Sequence, residues 1–87
     1  MASYELAFKK SVPKDLRAFP NQDVKRIMQR IRALADDPRP FGCEKLSGQE
    51  LYRIRQGAYR IIYEIEDDKL TVLVVKAGHR GTVYRST

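Results

Sequence analysis

With Cys43 as its one cysteine, the chain cannot close a disulfide on itself, and nothing in it points to an oxidising compartment. Cys43 and the lone histidine, His79, are also too few soft ligands for a structural zinc site within one chain. Long apolar runs are missing. The most apolar stretch, Leu70 to Val75, is far too short to span a bilayer, and the first eight residues lack the apolar run of a signal peptide. A cytoplasmic protein is expected. Acid is scarce: eleven Asp and Glu face seventeen Lys and Arg, and none follows Asp68. There are no paired acids in a glycosidase-like setting, no glycine loop built to cradle phosphate and no Ser-His-Asp set. Repeats, low-complexity segments and interdomain linkers are lacking too.

What is present fits one small folded domain spanning residues 1–87. A hydrophobic content of 43% beside 32% charged residues is too apolar for a disordered chain. The formal charge of +6 and a pI near 9.7 make a surface that attracts polyanions. Nucleic acid is the first candidate and an acidic protein partner the second. A membrane surface comes third, for want of a basic amphipathic helix with an aromatic face.

Tyr4, Leu6 and Phe8 alternate, as in a short strand. Ser11 is placed to cap a helix that tolerates Pro13 in its first turn and turns Val12, Leu16 and Phe19 inward. Pro20 breaks that run, and Asn21 is placed to cap a second helix with Asp23 in its first turn. Val24, Ile27, Met28, Ile31, Leu34 and Ala35 then recur at spacings of three and four, an apolar stripe that marks core. Lys25, Arg26, Gln29, Arg30 and Arg32 cover the other face, which reads as a solvated surface. Asp37-Pro38 ends the helix, and a loop runs from Pro38 to Gly48. Beyond it the period falls to two: a strand at Leu51–Arg55, a turn at Gln56-Gly57-Ala58, a strand at Tyr59–Glu66, a turn at Asp67-Asp68, and a β-branched strand at Lys69–Ala77. The expectation is an α+β domain of order β-α-α-β-β-β, with two N-terminal helices packed on a mainly antiparallel four-stranded sheet.

Alternation places Arg53 and Arg55 on one face of their strand, with Tyr52 and Ile54 on the other. Arg60 lies opposite Tyr59, Ile61, Tyr63 and Ile65, so it points outward if that face lies under the helices, and the hairpin brings it beside Arg53 and Arg55. Three cations on one open face repel unless an anion sits among them. Two readings stay open at this point: a phosphate site, or a solvated edge with each arginine bonded to a nearby carboxylate such as Glu64. The C-terminal run Ala77-Gly78-His79-Arg80-Gly81-Thr82-Val83-Tyr84-Arg85 combines arginines, which suit phosphate, with an aromatic that suits base stacking.

Lys45-Leu46-Ser47-Gly48, Leu51-Tyr52-Arg53-Ile54-Arg55 and Gly57-Ala58-Tyr59-Arg60-Ile61-Ile62-Tyr63 resemble the central block of the RelE/ParE toxin superfamily. Gly78-His79-Arg80 with Val83-Tyr84-Arg85 is similar to the closing block of its RelE branch. The resemblance implies the toxin of a type II toxin–antitoxin pair: an endoribonuclease, or mRNA interferase, that needs no metal or other cofactor and cuts mRNA in the ribosomal A site. The RNA 2′-hydroxyl attacks the adjacent phosphate, leaving a cyclic phosphate and a 5′-hydroxyl. Residues matching Arg53, Arg55, Arg60, Arg80 and Tyr84 carry the chemistry in that family, with Arg60 on the transition-state phosphate and Arg80 near the leaving group. Lys45, His79 and Arg85 are expected to contact RNA. The implied partners are the ribosome with its mRNA and a cognate RelB-like antitoxin, held in a hetero-oligomer.

Some relatives carry lysines at the positions of Arg53 and Arg55, and arginine cannot serve as a general base. Either the ribosome aligns the 2′-hydroxyl, or His79 or Tyr84 takes the proton; His79 also reads simply as a loop residue touching RNA or solvent. Two other functions fit the same residues. One is gyrase poisoning, as in the ParE branch, and the other is a non-catalytic module that binds RNA or DNA.

Overall fold

Described over residues 3–46 and 50–79 in a computed structural model, the chain runs β1 (Glu5–Phe8), α1 (Ser11–Arg17), α2 (Asn21–Ala33), β2 (Glu44–Lys45), β3 (Leu51–Gln56), β4 (Tyr59–Glu66) and β5 (Thr71–His79). The strands form one sheet in the order β1-β5-β4-β3-β2. β1 lies parallel to β5, and every other pairing is antiparallel. The fold is the expected α+β arrangement, with five strands rather than four. The added strand, β2, falls in the stretch expected to be loop. Its two residues are both exposed, so no hydrophobic alternation announces it; backbone pairing of Glu44 with Arg53 and Lys45 with Tyr52 makes it.

The two layers meet along the stripe of α2. Val12 of α1, Ile27 and Ile31 of α2, and Leu34 beyond it are fully buried against Tyr52, Ile54, Ile61, Tyr63, Val72 and Val74 of the sheet. Full burial of one such aliphatic side chain is worth about 1.5–3 kcal/mol, against about 0–1 kcal/mol for an exposed ion pair. This layer contact therefore holds the fold, and the surface charges are left for other uses.

The helix ends differ in detail from expectation. Lys10 and Pro20 occupy the capping positions, neither making a side-chain bond, while Ser11 and Asn21 are the first helical residues. α2 stops at Ala33 rather than at Asp37-Pro38. The Leu34 and Ala35 amides donate to Ile31 and Arg32 in a tightened last turn, and the Ala35 carbonyl accepts from the Tyr4 amide at 2.7 Å. Tyr4, the residue before β1, is thus tied to the chain just past the end of α2. The turn after β4 is a single 3-10 turn over Asp67–Lys69, closed by Leu70 in the left-handed region at φ 49°. β5 accordingly starts two residues later than expected and runs two residues further, taking in Gly78 and His79.

Tyrosines and one arginine fasten the loop after α2 to the sheet. The buried Tyr63 hydroxyl donates to the Pro38 carbonyl at 2.7 Å, and burial pushes its phenol pKa up. The Arg39 guanidinium lies over the Tyr52 ring, 5.3 Å from its centroid. It donates to both Asp67 carboxylate oxygens, at 3.2 and 2.9 Å. The Tyr4 hydroxyl donates to the same carboxylate at 2.7 Å, so Asp67 ties the segment before β1, the loop and the β4–β5 turn together. Among the described residues no helix is long and apolar enough to cross a membrane.

Bonds from Arg39, and then from Tyr4, hold the Asp67 carboxyl below its usual range. The native state therefore binds fewer protons here than the unfolded chain, and the stability Asp67 contributes is lost as pH falls below the ordinary carboxylate range. Melting temperatures measured from pH 7 down to pH 2 are expected to drop more steeply for the native sequence than for Asp67→Asn. Parallel curves would mean that the contact contributes nothing.

Candidate functional site

β3 and β4 are joined by a two-residue turn, Gly57-Ala58, with Gly57 at φ +60°, a conformation that favours glycine. So short a turn sets the register strictly. Arg55 stands directly across from Arg60, and Arg53 across from Ile62. On the other side of β4, Gly78 faces Arg60 and Lys76 faces Ile62. Tyr52, Ile54, Ile61 and Tyr63 fill the face under the helices. By alternation the opposite face carries a row Arg55–Arg60–Gly78 and beside it a row Glu44–Arg53–Ile62–Lys76.

Arg60 lies on that outer face, but only 7% of it is exposed, so it does not stand out into solvent as expected. Glycine at 78 puts no side chain beside it on the β5 side, whereas Arg55 on the β3 side is exposed. Arg53 bonds the Glu44 carboxylate, reached from Nη2 at 3.0 Å. Arg53 holds the Glu44 carboxyl below its usual range, with smaller contributions from Arg55 and Arg60. One carboxylate thus sits within the field of three guanidinium groups.

The other expected site residues are placed elsewhere. Lys45 alternates with Glu44, and its ammonium pairs with Glu50 at 3.6 Å. His79 pairs with Tyr59, its ring edge-on to the Tyr59 ring at 5.8 Å, on the helix side of the sheet. Arg80, Tyr84 and Arg85 lie outside the described residues. Of two residues that the sequence reading did not single out, Glu44 joins the cluster, and Lys76 falls on the same outer face by register. Glu44 gave no signal because its strand gave none, and the position of Lys76 depends on a register shift in β5.

Chemically, the face offers planar, delocalised cations suited to a phosphate whose charge grows in a transition state. Among the described residues no group of three or more His, Cys, Asp or Glu side chains is placed to hold a metal ion. Because Glu44 opposes the field of the cluster, Glu44→Gln is expected to tighten binding of single-stranded RNA. The plot of log affinity against log salt should steepen by about 0.7, the share of one phosphate contact. Fluorescence anisotropy across a salt series checks this, and an unchanged slope would show that Glu44 does not oppose RNA.

A family model described as the ParE toxin of type II toxin–antitoxin systems matches residues 6–84. The toxin RelE1 of Methanocaldococcus jannaschii is 29% identical to this chain over 87 residues, covering 95% of it and 97% of that protein. The toxin RelG of Mycobacterium tuberculosis is 29% identical over 86 residues, covering 94% and 97%. Among solved structures, one chain of the archaeal RelE–RelB complex from Pyrococcus horikoshii superposes with a TM-score of 0.81 at 30% identity, over 91% of this chain and 97% of that one.

Proposed function

The chain belongs to the RelE/ParE family of type II toxin–antitoxin toxins, and from that premise we propose that it is a ribosome-dependent endoribonuclease that arrests translation. The observation that carries this reading is the outer sheet face, where Arg53, Arg55 and Arg60 converge by strand register. In the reaction the mRNA 2′-oxygen attacks the neighbouring phosphorus and the 5′-oxygen of the next nucleotide leaves, with no water consumed in that step. The half-buried Arg53 and the buried Arg60 hold the phosphate as its charge grows. The exposed Arg55 leads the RNA backbone in. Arg80 and Tyr84 are assigned to the leaving group and to the stacked nucleotide, and Lys45, His79 and Arg85 to flanking RNA. The whole of 1–87 acts as one toxin domain, in the cytoplasm where translated mRNA is found.

The natural inhibitor is a cognate antitoxin. The Pyrococcus horikoshii relative is held in a complex with RelB, and a basic face such as this one suits an acidic segment that competes with RNA. A second reading, gyrase poisoning, is favoured by the ParE description of the matching family model. It leaves the arginine face without a chemical task.

Cleavage of a defined mRNA mapped to the nucleotide, with and without programmed ribosomes, separates the two. Cuts inside the A-site codon only when ribosomes are present are expected. Arg60→Ala should slow them about 10²–10³-fold, the usual effect of removing one charge-stabilising donor, while leaving the fold and antitoxin binding intact. Intact RNA from protein that still arrests growth would overturn the ribonuclease reading in favour of gyrase poisoning.

A further inference from the structure

One large aromatic ring among the described residues is left wholly uncovered. Phe41 is fully exposed, at 103% of its reference surface, whereas Phe8 and Leu70 are exposed at 37% and 40%. Single exposed apolar side chains are ordinary on protein surfaces, but this one stands on a rigid mount. The Cys43 amide donates to the Pro40 carbonyl at 3.0 Å, and Gly42 follows Phe41 at φ +90°. That is a type II turn with Phe41 at its second position. Both flanks of the turn are fastened. The Pro38 carbonyl accepts from the Tyr63 hydroxyl, and Arg39 donates to Asp67 and to the Tyr52 hydroxyl. On the other side the half-buried Cys43 packs against the core. So mounted, the ring is displayed in advance of any contact, and covering it carries little ordering cost.

We propose that Phe41 is a stacking platform for one unpaired base of the mRNA, away from the scissile phosphate, an inference that rests on the ribonuclease reading of the arginine face. Its place in the chain puts it beside that face. Phe41 lies three residues before Glu44, which pairs with Arg53 at the edge of the sheet, and three residues span at most about 11 Å. A strand whose phosphate lies on the arginines and that runs out past β2 meets the ring. The surroundings select the kind of occupant. The anchor of a protein interface sits within a packed apolar patch, but Arg39, Glu44 and Lys45, its neighbours along the chain, are exposed and charged. The whole chain carries a formal charge of +6. A π face among charged groups on a cationic protein matches a nucleotide, whose base stacks while its phosphate meets cations. Every base has such a face, so the platform holds the strand without reading its sequence.

Phe41→Ala, Phe41→Leu and Phe41→Trp, compared with the native chain, provide the test, and the fully exposed ring has no packing to lose. Leucine keeps apolar bulk but removes the π face. Fluorescence anisotropy with a single-stranded oligoribonucleotide is expected to show binding weaker by about 5- to 100-fold for the alanine and leucine variants. That is the worth of one base stacked on an aromatic ring; the tryptophan variant should bind at least as well as the native chain. The slope of log affinity against log salt should stay native, since no phosphate contact is lost. In proton NMR the stacked base should move the Phe41 ring signals upfield, saturably, while those of Phe19, packed on Tyr59, stay in place. Native-strength binding by the leucine variant would overturn the platform, as would Phe41 ring signals that the oligonucleotide leaves unmoved. Variants that bind RNA normally but lose hold of ribosomes or of the antitoxin would also overturn it, and would make the ring an anchor for those partners. Because binding and NMR need no cleavage, the stack is detectable on a toxin that cuts nothing, and it can fail on one that cuts normally.

Discussion

One residue of β5, Val75, has no partner on β4, and the placement of the site depends on it. Tyr63 pairs with Val74 while its neighbour Ile62 pairs with Lys76, so the strand carries one residue more than its partner. Without that extra residue the register would set Lys76 against Ile61, which is fully buried under the helices. An unpaired ammonium in that core would cost several kcal/mol or lose its charge. With it, Ala77 fills the inner position, Lys76 moves to the outer face, and Gly78 comes to lie beside Arg60. A one-residue change of register exchanges the two faces of a strand, and here it divides core from site along a single strand.

The site gathers charge of one sign where a sheet would ordinarily avoid it. Like charges directly across a strand pair cost roughly 0.2–1 kcal/mol, and Arg55 and Arg60 are such a pair. The hydrophobic layer beneath is built from side chains each worth about 1.5–3 kcal/mol when fully buried, so the fold carries the repulsion. Glu44 relieves part of it through Arg53. The cluster is therefore most at ease with an anion among its cations, and that preference is the physical content of a phosphate site.

The elements with strong periodicity were legible from the residues alone. The α2 stripe and the alternation in β3 and β4 have one period each, and the division of Arg53, Arg55 and Arg60 from Tyr52, Ile54, Ile61 and Tyr63 follows from that alternation and a short turn. What escaped depended on longer-range events. β2 exists because Glu44 and Lys45 find an edge of β3, which no local pattern encodes. Just past the early end of α2, the Ala35 carbonyl accepts a hydrogen bond from Tyr4, thirty-one positions away in the sequence. The bulge in β5 is invisible in the unbroken run Thr71–Val75, where all but Leu73 are β-branched, so alternation could not tell which of Lys76, Gly78 and His79 would face the arginines. Lys45 pairs with Glu50 and His79 lies edge-on to Tyr59, contacts that no local pattern announced.

Arginine at 53, 55 and 60 also fixes what this face cannot do. On the ribonuclease reading, guanidinium groups would bind and stabilise the phosphate but take no proton from a hydroxyl. Orienting the nucleotide then matters more than activating it, because a 2′-oxygen held in line with the breaking bond gains rate through geometry alone. Orientation needs a second point of hold away from the phosphate.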